Sequence, residues 1–101
     1  MIDVTSRLGE CRAKISEGLR ATEADSGASV VTVAVVGEFD GRTAKAGRIA
    51  GSDGAARDAV IELVQADSAR AAALANPGLG AEALQAVEDA HLAICILKTE
   101  V

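Results

Sequence analysis

A run of apolar, mostly β-branched residues over 30–36 constrains the fold of this chain more than any other feature. The run reads Val-Val-Thr-Val-Ala-Val-Val and stops at Gly37. β-Branched side chains favour extended backbone, and a continuous apolar run bounded by glycine is typical of a strand buried on both faces. The turn after such a strand often carries the ligand site of an α/β domain, so the segment after Gly37 is the first candidate for function.

An amphipathic stripe precedes this strand and predicts a helix over 3–24, with Asp3 as its cap. Its apolar members recur at spacings of four and three and are Val4, Leu8, Cys11, Ile15 and Leu19. A stripe of this kind has to pack on something apolar, either the sheet of the same domain or another chain. We therefore treat these five residues as a candidate interaction face.

The remainder of the chain predicts a glycine-rich loop over 37–54, a mainly helical region over 55–90 and a second buried strand over 92–97. Residues 59–64 suit either a strand or a helix. Two buried strands joined by a long helical connection imply a parallel crossover. The expected fold is α/β: one small domain over 1–101, with a mostly parallel two- to three-stranded sheet and helices packed on it.

Charge and cysteine content narrow the function classes. The 101 residues carry a formal net charge of −5, which argues against a nucleic-acid binder because phosphate contacts need clustered lysine and arginine. No apolar stretch approaches the roughly 20 residues that a membrane span needs. The start of the chain does not resemble a signal peptide. Cys11 and Cys95 are interpreted as reduced, buried thiols, so a cytoplasmic protein is expected.

The core available to this chain is small. Phe39 is the single aromatic residue, so alanine, valine, leucine and isoleucine must form the interior. Alanine buries little area, and apolar burial contributes only about 25 cal/mol per Å². We expect the domain to gain stability by association, either with itself as a homo-oligomer or with a partner protein.

Residues 31–39, Val-Thr-Val-Ala-Val-Val-Gly-Glu-Phe, resemble the first strand and phosphate-loop entry of bacterial dynamin-like GTPases. The resemblance implies that Gly37, Gly41, Arg42 and Thr43 contact phosphate, with GTP or GDP and Mg²⁺ as ligands. The segment is one residue shorter than G-x-x-x-x-G-K-[ST], and Arg42 replaces the lysine. Further along, Ala75 takes the place of the family's aspartate. These departures point to a degenerate relative rather than a working GTPase.

Residues 37–44, Gly-Glu-Phe-Asp-Gly-Arg-Thr-Ala, also resemble the Gly-Glu-Leu-Asp-x-x-Thr-Ala turn of STAS domains of the anti-sigma-factor antagonist type. This second resemblance implies a strand at 60–64. It also implies a module that only binds, because Pro77 stands where the family has its switch serine. Whether 60–64 is a strand or a helix largely decides between the two resemblances.

No catalytic residue is predicted. Glu38 and Asp40 are interpreted as a solvated acid and a turn cap. His91 is the only histidine and has no second ligand at metal-binding spacing, so no metal site is expected. The predicted function is a non-catalytic protein-interaction or assembly module without a cofactor. The alternative is a degenerate nucleotide- or phosphate-binding domain that uses residues 37–43.

Overall fold

The computed structural model describes residues 4–49 and 53–100, and all regular structure within these ranges is helical. The helices are α1 (Val4–Ala24), α2 (Val30–Ile49), α3 (Asp53–Ala66), α4 (Ala69–Leu74) and α5 (Ala81–Glu100). Because no strand occurs in these ranges, the predicted α/β domain with a parallel sheet is wrong. The chain is a small all-α bundle. The predicted cap of the first helix, Asp3, lies outside the described residues.

The helices form an elongated up-and-down bundle of 41 × 20 × 19 Å. α1 packs mainly on α5 and α2, while α3 and α4 form one broken column against α2 and α5. An ion pair between Arg7 and Glu100 joins the start of α1 to the end of α5. At the opposite end, the α1–α2 connection contacts the α4–α5 connection. Successive columns of the bundle therefore run antiparallel.

The valine-rich segment is the first part of α2, so the predicted strand over 30–36 is wrong. Residues that face the core of α2 alternate at spacings of four and three and are Thr32, Val36, Phe39, Thr43 and Ala46. Val30, by contrast, is 86% exposed. β-Branched residues lower helix propensity by only a few tenths of a kcal/mol each, and burial of a five-residue stripe outweighs that cost. The same helix continues through most of the predicted glycine-rich loop, as far as Ile49; residues 50–52 lie outside the described ranges.

Buried threonines, Thr32 and Thr43, make the stripe of α2 hard to recognise in the sequence. The Thr43 hydroxyl donates a hydrogen bond of 2.8 Å to the carbonyl oxygen of Phe39, one turn earlier. Thr22 in α1 makes the same contact, 2.7 Å, with the carbonyl of Gly18. A hydroxyl satisfied within its own helix can lie in an apolar core at little cost. Threonine therefore occupies core positions here, although it reads as polar.

The second predicted strand, over 92–97, is also wrong, because these residues form the C-terminal half of α5. Ile94 is fully buried, whereas Ile96 is 43% exposed. In a strand, residues two apart point to the same side, but in a helix they point in very different directions. Residues 59–64, whose sequence suits either a strand or a helix, lie in α3 and are helical. The strand that the STAS resemblance implies at 60–64 is therefore absent.

A hydrogen-bonded loop cluster holds one end of the bundle together. Asp25 accepts hydrogen bonds from the backbone nitrogens of Gly27 (2.8 Å) and Gly80 (2.9 Å). A Cβ atom added to Gly27 would lie 1.7 Å from the carbonyl oxygen of Gly78, so only glycine permits this close approach of the two connections. The end of α1 and the starts of α2 and α5 are fixed relative to one another by these contacts.

Candidate functional site

The residues assigned to phosphate binding all lie within α2. In a phosphate loop, backbone N–H groups turn toward the anion, whereas in a helix they are bonded to carbonyls four residues earlier. Gly37 and Gly41 are ordinary helical residues, Thr43 is buried, and Arg42 pairs with Glu38 at 2.8 Å on the surface. The predicted phosphate loop is therefore wrong, because its backbone donors are already used within the helix.

The candidate interaction face on α1 is used within the chain. Leu8, Cys11 and Ile15 are buried, and Leu19 packs against the same core. The Cys11 thiol donates to the Ala93 carbonyl of α5 over 3.4 Å, which shows where the stripe points. Side chains buried in this way are not available to a second molecule while the bundle is folded. The Val4 side chain lies outside the described part of the chain.

The paired acids after the valine run have separate structural roles. Asp40 accepts a hydrogen bond of 2.6 Å from the hydroxyl of Ser16 and so links α2 to α1. Glu38 forms the surface ion pair with Arg42 described above. The two carboxylates therefore stabilise local structure and do not converge on a shared site.

A polar line of three residues, which we call the Asp–His–Cys line, crosses from the α3–α4 break to α5. The Asp67 side chain is only 1% exposed, and its Oδ2 lies 2.6 Å from Nδ1 of His91. The other ring nitrogen of His91, Nε2, lies 3.5 Å from the sulfur of Cys95. A carboxylate, an imidazole and a thiol are thus connected in sequence through the two nitrogens of one ring.

Local structure explains how these residues meet. His91 and Cys95 are four residues apart on α5, so their side chains lie on one side of the helix, one turn from each other. Asp67 lies where the third column of the bundle is interrupted between α3 and α4. Its Oδ1 accepts the backbone N–H of Ala69 over 2.9 Å, at the first residue of α4. This second hydrogen bond fixes the carboxylate so that Oδ2 faces the histidine.

The arrangement has the order that activates a nucleophile: a thiol, a base next to it and a third group that orients the base. An ionised carboxylate can only accept hydrogen bonds, so the Nδ1 atom of His91 carries a proton. In the neutral ring, Nε2 is then the acceptor, and it faces the thiol of Cys95. The line can therefore move a proton from sulfur to nitrogen.

The members of the Asp–His–Cys line differ in their exposure to solvent. The His91 side chain is 34% exposed and Cys95 is half-buried, while Asp67 lies behind them. A cavity of about 10 Å³ beside Asp67 and His91 is too small for anything larger than one water molecule. Any molecule that meets the thiol must therefore approach from the surface. The described residues contain no group of three or more side chains suited to holding a metal ion.

Cys11, the other cysteine, lies in a contrasting environment. It is buried between α1 and α5, and burial raises the pKa of its thiol above the ordinary value. Such a thiol stays protonated and behaves as a small apolar side chain. The chain therefore holds one inert cysteine and one cysteine in contact with a base.

Sequence reasoning did not find the Asp–His–Cys line. The spacing His-x-x-x-Cys is visible at 91–95, but His91 lies between the predicted helical region over 55–90 and the predicted strand over 92–97 that contains Cys95. Asp67 is 24 residues from His91, and only the helix break brings the two together.

No family model matches this chain, and neither the curated proteins nor the solved structures show a match.

Proposed function

We propose that this chain is a non-catalytic assembly module that associates with a second copy of itself through the outer face of α5. The observation that supports this most directly is the exposure of Leu92 and Ile96, at 57% and 43%. These two side chains are four residues apart on one helix and so form a continuous apolar strip. We call them the α5 strip.

The distribution of side-chain sizes in the bundle supports association. Many positions in the core are held by alanine, which gains little from burial: Ala46, Ala56, Ala69, Ala73, Ala83 and Ala90. Several larger apolar side chains remain outside: Val30, Val31, Ile61, Leu74, Leu92 and Ile96. Full burial of a leucine or isoleucine side chain contributes roughly 1.5–3 kcal/mol. A contact that covers the larger residues would therefore add substantially to a stability that the alanine core leaves low.

The part of α5 that carries the α5 strip packs firmly against the core of the bundle. Ile94 and Leu97, on the inner face of the same helix segment, are fully buried in the core, so the backbone that carries the strip is held rigidly. Little ordering is then required when the strip is covered, which lowers the entropic cost of binding. Exposed polar residues, Asp89 and Thr99, lie on either side of it along the helix. An apolar centre with a polar rim is the usual composition of a protein interface.

A second copy of the chain is the occupant that fits this strip. A short apolar strip on a helix is complementary to an identical strip turned by a two-fold axis, because each apolar residue then meets an apolar residue. Such an isologous contact needs no feature beyond those described on α5. None of the helices in the described ranges is long and apolar enough to cross a membrane.

Light scattering coupled to size-exclusion chromatography tests the proposal. The protein should be kept in reducing agent, so that disulfide formation does not contribute to the measured mass. We expect a mass that rises from one chain toward two as concentration increases. Leu92→Asp and Ile96→Asp should each keep the protein monomeric, since a carboxylate would be buried at the contact.

Thr99→Asp is the matched control, because it adds the same charge to an exposed position of α5 without removing an apolar side chain. We expect this variant to associate like the unaltered protein. A mass of one chain at every concentration would contradict the proposal. So would a Leu92→Asp variant that associates as well as Thr99→Asp does.

A further inference from the structure

We propose that Cys95 is a nucleophilic thiol, assisted by His91 and positioned through Asp67, which exchanges with small apolar disulfides at the surface of α5. This inference does not rest on the proposed assembly, since neither Leu92 nor Ile96 takes part in the proton transfer. Because a second copy on the α5 strip would cover the surface next to Cys95, the reaction belongs to the single chain and is measured at a concentration too low for association. It would make Cys95 a site of reversible covalent modification.

The roles follow from the direction of the hydrogen bonds. Asp67 holds the Nδ1 proton of His91 over 2.6 Å, so the lone pair of the neutral ring lies on Nε2. Nε2 is 3.5 Å from the Cys95 sulfur, within hydrogen-bond range for a thiol. Asp67 does not touch the sulfur and acts only through the ring, so it is a positioning residue.

The exchange step conserves atoms and electrons. The proton of the Cys95 thiol moves to Nε2 of His91, and the resulting thiolate attacks one sulfur of the incoming disulfide. A new bond forms to that sulfur, and the old sulfur–sulfur bond breaks. The leaving thiolate takes the proton from the imidazolium. Cys95 is oxidised to a mixed disulfide, and half of the incoming disulfide is reduced to a thiol.

The environment of the thiol indicates the class of disulfide. Two exposed apolar side chains lie near the thiol, Ile96 next in sequence and Leu92 about one turn earlier, while the exposed Lys98 and Thr99 lie about one turn later. The cavity behind His91 has no room for a substrate, so the reaction takes place at the open surface. The lack of a substrate-sized cavity favours a small disulfide, and the two apolar neighbours favour an apolar one.

Cys11 provides an internal reference in the same molecule. Its thiol is buried against Ala93, and burial raises its pKa, so little thiolate forms and reagents have no access. In the folded protein we expect 4,4′-dithiodipyridine, a neutral apolar disulfide, to modify Cys95 at least about tenfold faster than Cys11. The released thiopyridone reports the rate by absorbance, and mass spectrometry of peptides identifies the cysteine.

Three variants separate the roles of the residues. Cys95→Ser should abolish the fast reaction. His91→Gln should slow it by roughly tenfold or more, because general-base assistance is lost. Asp67→Asn should slow it to a similar degree, since an amide can donate to Nδ1 and thereby move the ring proton to Nε2, where it blocks proton transfer. Melting curves of each variant verify that the bundle is intact.

Nitrogen-15 NMR of the ring gives a reading that a purely structural role for Asp67 would not change. His91 is the only histidine, so its ring signals need no assignment. In the unaltered protein we expect Nδ1 to be protonated; in Asp67→Asn we expect the proton of the neutral ring on Nε2. This measurement also serves if the His91→Gln variant does not fold.

Three results would overturn the proposal. The first is an equal rate of Cys95 modification in the unaltered protein and in His91→Gln. The second is modification of Cys11 as fast as Cys95 in the folded protein. The third is a ring of the unaltered protein that carries its single proton on Nε2.

Discussion

The side-chain oxygen of Asn76 lies 2.7 Å from the backbone nitrogen of Ser29, so the loop after α4 completes the N-terminus of α2. The same oxygen accepts the Thr32 hydroxyl over 2.8 Å. Ser29 caps the helix in turn, accepting the Thr32 N–H at its own hydroxyl over 3.1 Å. The amide side chain of Asn76 thus links the loop after α4 to the start of α2, although Ser29 and Asn76 are 47 residues apart in the sequence.

Asn76→Ala should destabilise the bundle by about 2 kcal/mol, because two donors near the start of α2 and the Gly27 carbonyl lose their partner. In a domain of this size the melting temperature should fall by roughly 10 °C. Circular dichroism at 222 nm during heating measures this. Asn76→Asp, which keeps both acceptor contacts, should retain more of the stability. Unchanged melting of Asn76→Ala would show that the loop contact contributes nothing.

Two glycine-to-alanine substitutions should have opposite effects. Gly27→Ala forces a methyl group onto the Gly78 carbonyl, so we expect a loss of at least about 2 kcal/mol in the free energy of unfolding. Gly41→Ala has open space in the middle of α2 and should stabilise by about 0.5–1 kcal/mol. Urea titration measures both. Loss of stability in Gly41→Ala would contradict a helical α2, since only a non-helical turn would require that glycine.

Substitution of two isoleucines in α5 distinguishes a helix from a strand, because the two variants should lose very different amounts of stability. Ile94→Ala should cost about 2–5 kcal/mol, because its side chain is fully buried. Ile96→Ala, on the outer side, should change the monomer by well under 1 kcal/mol. Thermal melting at a concentration too low for association measures the difference. Equal losses would mean that both side chains face one side, as in an extended strand.

Stability should decline at alkaline pH because of Cys11. Burial raises the pKa of this thiol in the folded protein above its ordinary value of 9.0. The contribution of the protonated Cys11 thiol to the free energy of unfolding is therefore fully present below pH 9.0. It is lost as the pH rises through the folded-state pKa, because the thiol of the unfolded chain loses its proton at lower pH than the buried thiol does. Cys11→Ala removes the titrating group. Melting temperatures of the two proteins should converge above pH 9.0; parallel curves would refute the assignment.

The sequence indicated the presence and spacing of the α1 stripe, because its core positions are mostly unmistakably apolar. The sequence did not indicate the helix α2. There, Thr32 and Thr43 interrupt the spacing of apolar residues, and valines occupy exposed positions such as 30 and 31. A run of β-branched residues favours a strand only weakly, and tertiary packing decides the outcome. Counting threonine as a core residue would have extended the helical period from 32 to 46.

The candidate site depends on contacts that no local pattern contains. Asp67 resembles any acid on a helical surface until the interruption of the helix places it beside His91. The exposed valines, likewise, could not be distinguished from buried ones by residue type. Polar residues that act together across distant helices are visible only when the packing of the helices is known.

The gap between α3 and α4 has an evolutionary corollary. In a continuous helix, the Ala69 amide would bond to its own column, and the Asp67 carboxylate would lose the contact that directs it at the imidazole. The break between α3 and α4 therefore also places the carboxylate beside the imidazole. A homologue in which α3 and α4 form one continuous helix should also lack the reactivity proposed for Cys95.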